Sequence, residues 1–149
     1  MKIKKLISFI NIFLFCILLS TANTFAHEGA KGIIKERMDK FKASKQLMKK
    51  INVGLQNDNF KVIEESAQIL LLWSKEMHKF FPKGSDVSPS EASSDIWLNP
   101  EGFSKAIKNF ELASLELINQ SNTSDRDKTI NAFRNLAGTC KGCHQKFRN

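Results

Sequence analysis

The chain has 149 residues, 42% of them apolar and 26% charged, with seven Gly and three Pro. That length suits one domain, and the composition excludes a disordered chain, a collagen and a multi-span membrane protein. The formal charge is +8, and the three cysteines are too few and too unevenly placed for a disulfide scaffold.

Residues 1–26 read as a secretory signal peptide. Lys2, Lys4 and Lys5 form a basic start, Leu6 to Leu19 is almost wholly apolar, and Ser20 to Ala26 is polar with small residues, ending Thr24-Phe25-Ala26. A retained anchor is disfavoured, because a span needs about 20 apolar residues and this run is shorter and broken by Ser8 and Asn11. A lipoprotein signal is disfavoured too, since Cys16 follows Phe15 where a small residue is expected. The expectation is a periplasmic protein of residues 27–149 that has lost Cys16. It keeps 20 basic against 15 acidic residues, a net +5. This charge favours an acidic partner and does not mark a nucleic-acid binder. Lys40, Lys42, Lys45, Lys49 and Lys50 are spread along one predicted helix as a solvated face.

Four amphipathic helices follow. In the first, Ile34, Met38, Phe41, Met48, Ile51 and Leu55 form an apolar stripe, and Gly54 is expected to end or interrupt it. Asp58 is the expected cap of the second, whose stripe is Phe60, Ile63, Ala67, Leu70, Ser74 and Met77, widened by Ile69, Trp73 and Phe80. It stops near Pro82. Residues Lys83 to Asn99 are a long loop with Ile96-Trp97-Leu98 as an apolar plug, Trp97 docking onto the helices. The third helix opens with Asn99 as cap and Pro100 at its first position, and shows Phe103, Ile107, Phe110, Ser114 and Leu117. Ser121 to Asp127 supplies caps for the fourth, with Ile130, Phe133, Ala137, Cys140, His144 and Phe147 at alternating spacing of three and four. No strand pattern competes, so the predicted fold is all-α, a four-helix bundle. Met38, Met48 and Met77 read first as core fillers.

The fourth stripe differs from the others because it contains thiols and an imidazole. Cys140-Lys141-Gly142-Cys143-His144 is C-x-x-C-H, the attachment signature of haem c. Three residues apart on a helix, Cys140 and Cys143 share a face and reach two vinyl groups along one porphyrin edge. His144 follows directly and offers an imidazole nitrogen as the proximal iron ligand. A redox disulfide would sit in a βαβ pattern that is absent here. A zinc site would need a second ligand pair, and His27 and His78 lack the spacing.

With this motif at its C-terminal end, the exported chain resembles the cytochrome c′ family, the class II c-type cytochromes. The resemblance is carried by the haem motif on the last helix, by Asn135-Leu136-Ala137-Gly138-Thr139 before it and Phe147-Arg148 after it, by Ser94-Asp95-Ile96-Trp97, and by Arg37. It implies an antiparallel bundle around one covalent haem c, commonly a homodimer through the first two helices. It also implies Arg37 near a haem propionate, Arg148 beside the proximal ligand, and a distal position four residues after Arg37, which is Phe41. Low-spin relatives carry a methionine there. Phenylalanine has no lone pair to give, so the expected iron is five-coordinate under a tight apolar distal wall suited to nitric oxide or carbon monoxide.

The competing distal residue is Met38, three residues and about 4.5 Å along the helix from Phe41. If Met38 were the sixth ligand, the protein would be a low-spin electron carrier. His78 reads as a surface histidine, and an N-terminal His27 is a weak chelator. Two functions fit: a gas-binding haem protein and a periplasmic electron carrier with a redox partner. An enzyme such as a peroxidase is not expected, because it needs a distal acid–base group and the nearest candidate, Arg37, is assigned to a propionate. A stable membrane anchor is not expected either.

Overall fold

The computed structural model describes residues 29–149; the expected signal peptide, Cys16 and His27 lie outside them. Four long helices are present: α1 (Gly32–Gln56), α2 (Phe60–Glu76), α4 (Pro100–Asn122) and α5 (Arg126–Phe147). A 3₁₀ turn, Met77–Phe80, extends α2, and a one-turn helix, α3 (Asp95–Leu98), interrupts the long loop before α4. Among the described residues no helix is long and apolar enough to cross a membrane.

Local chemistry sets the helix starts. Asn99 accepts from the Gly102 N–H at 3.0 Å with Pro100 next in line, and Asp125 accepts from the Lys128 N–H at 3.0 Å. These satisfy donors that a helix N-terminus leaves orphaned. The cap of α2 is Asn59, whose side chain accepts from the Val62 N–H, and not Asp58. Asp58 has φ 51, so it makes the left-handed turn out of α1, while its carboxylate accepts from Arg126 Nε at 2.8 Å. Gly54 does not end α1 either. It is needed for close approach, since a Cβ there would lie 2.9 Å from Ile63 Cγ1 of α2.

Packing joins α1 to α2, α2 to α4 and α4 to α5, and the α1–α5 seam is the slackest of the four. At one end, Ile51, Ile63, Leu70, Leu117 and Leu136 are wholly buried. Between them lie Ser66, Ser74, Ser114, Ser121 and Thr129, whose hydroxyls donate to nearby backbone carbonyls. Small, self-satisfied side chains let the backbones approach without stranding polar groups.

Three packing expectations are revised. Ile69 does not widen the α2 stripe: it is 52% exposed, because α2 buries the Ser66, Ala67, Leu70 and Trp73 face. Leu98 is not part of the plug, which consists of buried Ile96 and half-buried Trp97. On α5 the buried residues are Thr129, Ala132, Leu136 and Phe147; of the expected stripe Phe147 is buried, while Ile130, Phe133, Ala137 and Cys140 are half-buried and His144 is exposed. The helix leans on α4 and turns its predicted stripe toward the slack seam.

Candidate functional site

The site lies at the other end, where the start of α1 meets the end of α5. In α1 only Arg37 is buried before Ile51, so Ile33, Ile34, Met38, Phe41, Leu47 and Met48 are left half-covered. In α5 the sequence from Ala137 to Lys146 contains no buried residue. Apolar side chains face one another here without closing.

Phe41 of α1 reaches the haem-motif end of α5. Its ring stands edge-on to the His144 imidazole, with centroids 6.4 Å apart. It also meets Phe81 at 6.3 Å and Trp73 at 5.6 Å, so Phe41 links His144 to two further aromatic rings. Edge-to-face pairs of this kind fix ring orientation as well as burying area. Met38 is half-buried one turn earlier and belongs to neither apolar cluster.

Cys140 and Cys143 are half-buried free thiols on one face of α5, packed against the two apolar clusters. Burial raises the Cys140 thiol pKa, with a hydrogen bond involving Thr139 opposing it. Burial and the neighbouring Cys140 push Cys143 up to about 11. Both therefore stay protonated at neutral pH. His144 is exposed at one side, yet desolvation of its ring and the nearby Arg148 charge lower its pKa, with Glu91 opposing. The imidazole is thus held neutral, the form that can donate a lone pair to a metal.

The C-terminus is strapped in place. Ser93 N–H donates to Phe147 O at 3.0 Å, Asn149 N–H to Glu91 O at 3.0 Å, and Arg148 pairs with Glu91. Arg148 thus sits beside His144 with its charge partly compensated. Phe147 packs on Phe103 at 5.3 Å, and Phe103 on Phe81 at 4.9 Å, which fixes the last turn of α5 against α4 and the loop.

Arg37 has a role that spacing did not reveal. Its two terminal nitrogens make four hydrogen bonds: to Phe80 O, Ser85 Oγ, Ser85 O and Ser90 Oγ, at 2.6–2.9 Å. The guanidinium also stacks 4.5 Å from the Phe81 centroid. It therefore clamps the loop that delivers Phe81 to the site, and Trp97 helps by donating to Phe81 O at 3.0 Å. The adjacent Phe80-Phe81 pair before Pro82 is the signal in the sequence for this wall; spacing assigns Phe80 to the second stripe and gives Phe81 no role.

Two observations fit a macrocycle held here. The half-covered apolar lining needs a flat apolar body to cover it. A buried donor, Trp73 Nε1–H, has no partner among the described residues. An open surface groove of about 510 Å³ lies elsewhere, between α4 and α5, lined by Leu112, Leu115, Asn119 and Asn135, and none of these residues is a thiol or an imidazole. Among the described residues, no cluster of three or more His, Cys, Asp or Glu could hold a bare metal ion.

Fold and site together define a c-type haem protein built on a four-helix bundle. The profile of the family described as Cytochrome C′ matches residues 32–148, and the chain belongs to that family. It is 28% identical over 118 residues to the cytochrome c′ of Rhodospirillum rubrum, covering 77% of this chain and 80% of that one. It is also 34% identical over 73 residues to cytochrome c-554 of Cereibacter sphaeroides, 47% of each chain. Among solved structures it is similar to cytochrome c′ from Shewanella frigidimarina (TM-score 0.72, 25% identity, 78% of this chain and 94% of that one) and from Rubrivivax gelatinosus (TM-score 0.70, 26% identity, 78% and 94%).

Proposed function

We propose that this protein is exported to the periplasm, carries one haem c on Cys140 and Cys143, and uses His144 as its only protein ligand to iron. The haem, when bound, supplies an iron that takes small diatomic ligands and changes oxidation state by one electron. The protein decides which of these is open. Phe41 is the observation that carries the reading: it is the α1 side chain set against His144, and it offers a hydrocarbon ring where a ligating side chain would have to stand. With Phe81 and Trp73 beside it, it disfavours water and anions and admits neutral diatomics such as nitric oxide and carbon monoxide. A nitric oxide complex is described for a mutant of the cytochrome c′ of Alcaligenes xylosoxidans, similar in fold at 19% identity.

Electron transfer is compatible with the same site, and the +5 charge of residues 27–149 suits an acidic redox partner. We read the protein as a binder and carrier rather than an enzyme. An acid–base role would need a free polar group beside Phe41, and Arg37 is committed to the loop. A homodimer through α1 and α2 is supported by exposed Val53, Ile69 and Leu72 on those helices.

The deciding experiment is an absorption spectrum of the reduced protein with and without carbon monoxide. A high-spin spectrum that becomes low-spin on adding the gas is expected, and Phe41→Met should make the protein low-spin without gas. A low-spin wild-type spectrum that Met38→Leu converts to high-spin would overturn the open site and make Met38 the sixth ligand. Mass spectrometry of the exported protein checks removal of residues 1–26.

A further inference from the structure

Trp73 is 5% exposed, and its Nε1–H is the one buried side-chain nitrogen or oxygen without a hydrogen-bond partner among the described residues. The contrast with its surroundings is sharp. Trp97 donates to Phe81 O, the buried hydroxyls of Ser66, Ser74, Ser114, Ser121 and Thr129 all donate to carbonyls, and Arg37 makes four bonds. A dry, unpaired donor costs about 1–3 kcal/mol, so a chain this thorough elsewhere has left the indole for an acceptor it does not itself supply.

The neighbours say what kind of acceptor. The indole packs edge-on against Phe41 at 5.6 Å and Phe80 at 5.1 Å, which places it one ring away from His144, through Phe41. The charge over it is positive: Lys40 Nζ lies 5.8 Å from both the Trp73 and the Phe80 ring centroids. A carboxylate suits an N–H donor and an ammonium together, and a neutral acceptor would use only the first. The haem of the proposed site carries two carboxylates on flexible propionate arms.

We propose that Trp73 Nε1–H, assisted by Lys40, holds a haem propionate. This rests on the haem reading above, and it gives Trp73 the task that family resemblance implies for Arg37. Arg37 instead positions the loop, since four of its five N–H donors are already bonded there. Because Trp73 also touches Phe41, one side chain ties the propionate anchor to the distal wall.

Resonance Raman spectroscopy of the haem-loaded protein tests this through the propionate bending band, which rises when a propionate accepts a hydrogen bond. Trp73→Phe should lower the band by a few wavenumbers, Lys40→Gln should lower it less, and Arg37→Lys should leave it in place while weakening the loop. If Trp73→Phe fails to fold, 3-benzothienylalanine at position 73 keeps the ring and removes only the N–H, and the same lowering is expected. A band that neither change at position 73 moves, or one that moves in Arg37→Lys, overturns the assignment. A pyridine haemochrome spectrum of the same samples tells this apart from failure of the haem reading, because it reports covalent haem whatever holds the propionate.

Discussion

The two ends of the bundle are built on opposite rules. At the end formed by Ile51, Ile63, Leu117 and Leu136 the helices close on one another, and the buried hydroxyls of Ser66, Ser114 and Thr129 all donate to backbone carbonyls. At the end formed by Phe41, Cys140, Cys143 and His144 the same four helices leave apolar surface half-covered and one indole N–H unpaired. The closed end carries the chain's own core, and the open end leaves apolar surface that the proposed haem would cover. An unclosed seam beside a closed one marks a place where part of the fold's driving force comes from outside the polypeptide.

That difference can be broken from either side. The largest effect is expected at the open end: Cys140→Ser or Cys143→Ser removes one of the two proposed thioether sites, and the double change should abolish covalent haem entirely, read as loss of the haem stain on a denaturing gel. At the closed end, Leu136→Ala should cost about 2–5 kcal/mol in urea unfolding of the haem-loaded protein, by lost burial and a residual cavity. Its covalent haem, read by the haem stain, should be retained, because the proposed thioether sites at Cys140 and Cys143 are untouched. Gly54→Ala should cost about 1–3 kcal/mol by overpacking, since the new methyl meets Ile63 Cγ1 and Asn59 O. Relief by Ile63→Val would show that the contact is the cause.

The smallest effect concerns the cap of α5. The Asp125 pKa is lowered from 3.8, first by the backbone hydrogen bond from Lys128. A carboxylate that is more acidic when folded stabilises the protein above the unfolded value and loses that contribution as pH falls through the lower folded one. Unfolding midpoints measured from just above to well below pH 3.8 should therefore fall by a little less in Asp125→Asn, which keeps a capping oxygen and cannot titrate.

The helix count, the loop and the haem motif were legible in the sequence because each is a local pattern. Periodicity of three and four, Asn99-Pro100, and Cys140-Lys141-Gly142-Cys143-His144 need no knowledge of what packs where. Errors appeared where a neighbour decides. Asp58 and Asn59 are both good caps in isolation, and the ion pair with Arg126, 68 residues away, accompanies the left-handed turn at Asp58. Ile69 looks like core by spacing, yet α2 is rotated so that Trp73 is inside.

By itself, then, the sequence determined a four-helix chain with a haem c motif at its end, since hydrophobic period and covalent chemistry are written along the chain. Only the tertiary structure decided that the Phe41 ring meets the His144 imidazole, that Arg37 clamps residues 80–90, and that Trp73 has no partner for its N–H among the described residues. Those three depend on how α1 turns toward α5 and how the loop folds back over α1. Such relations among distant segments are set by packing, and helical spacing alone cannot encode them.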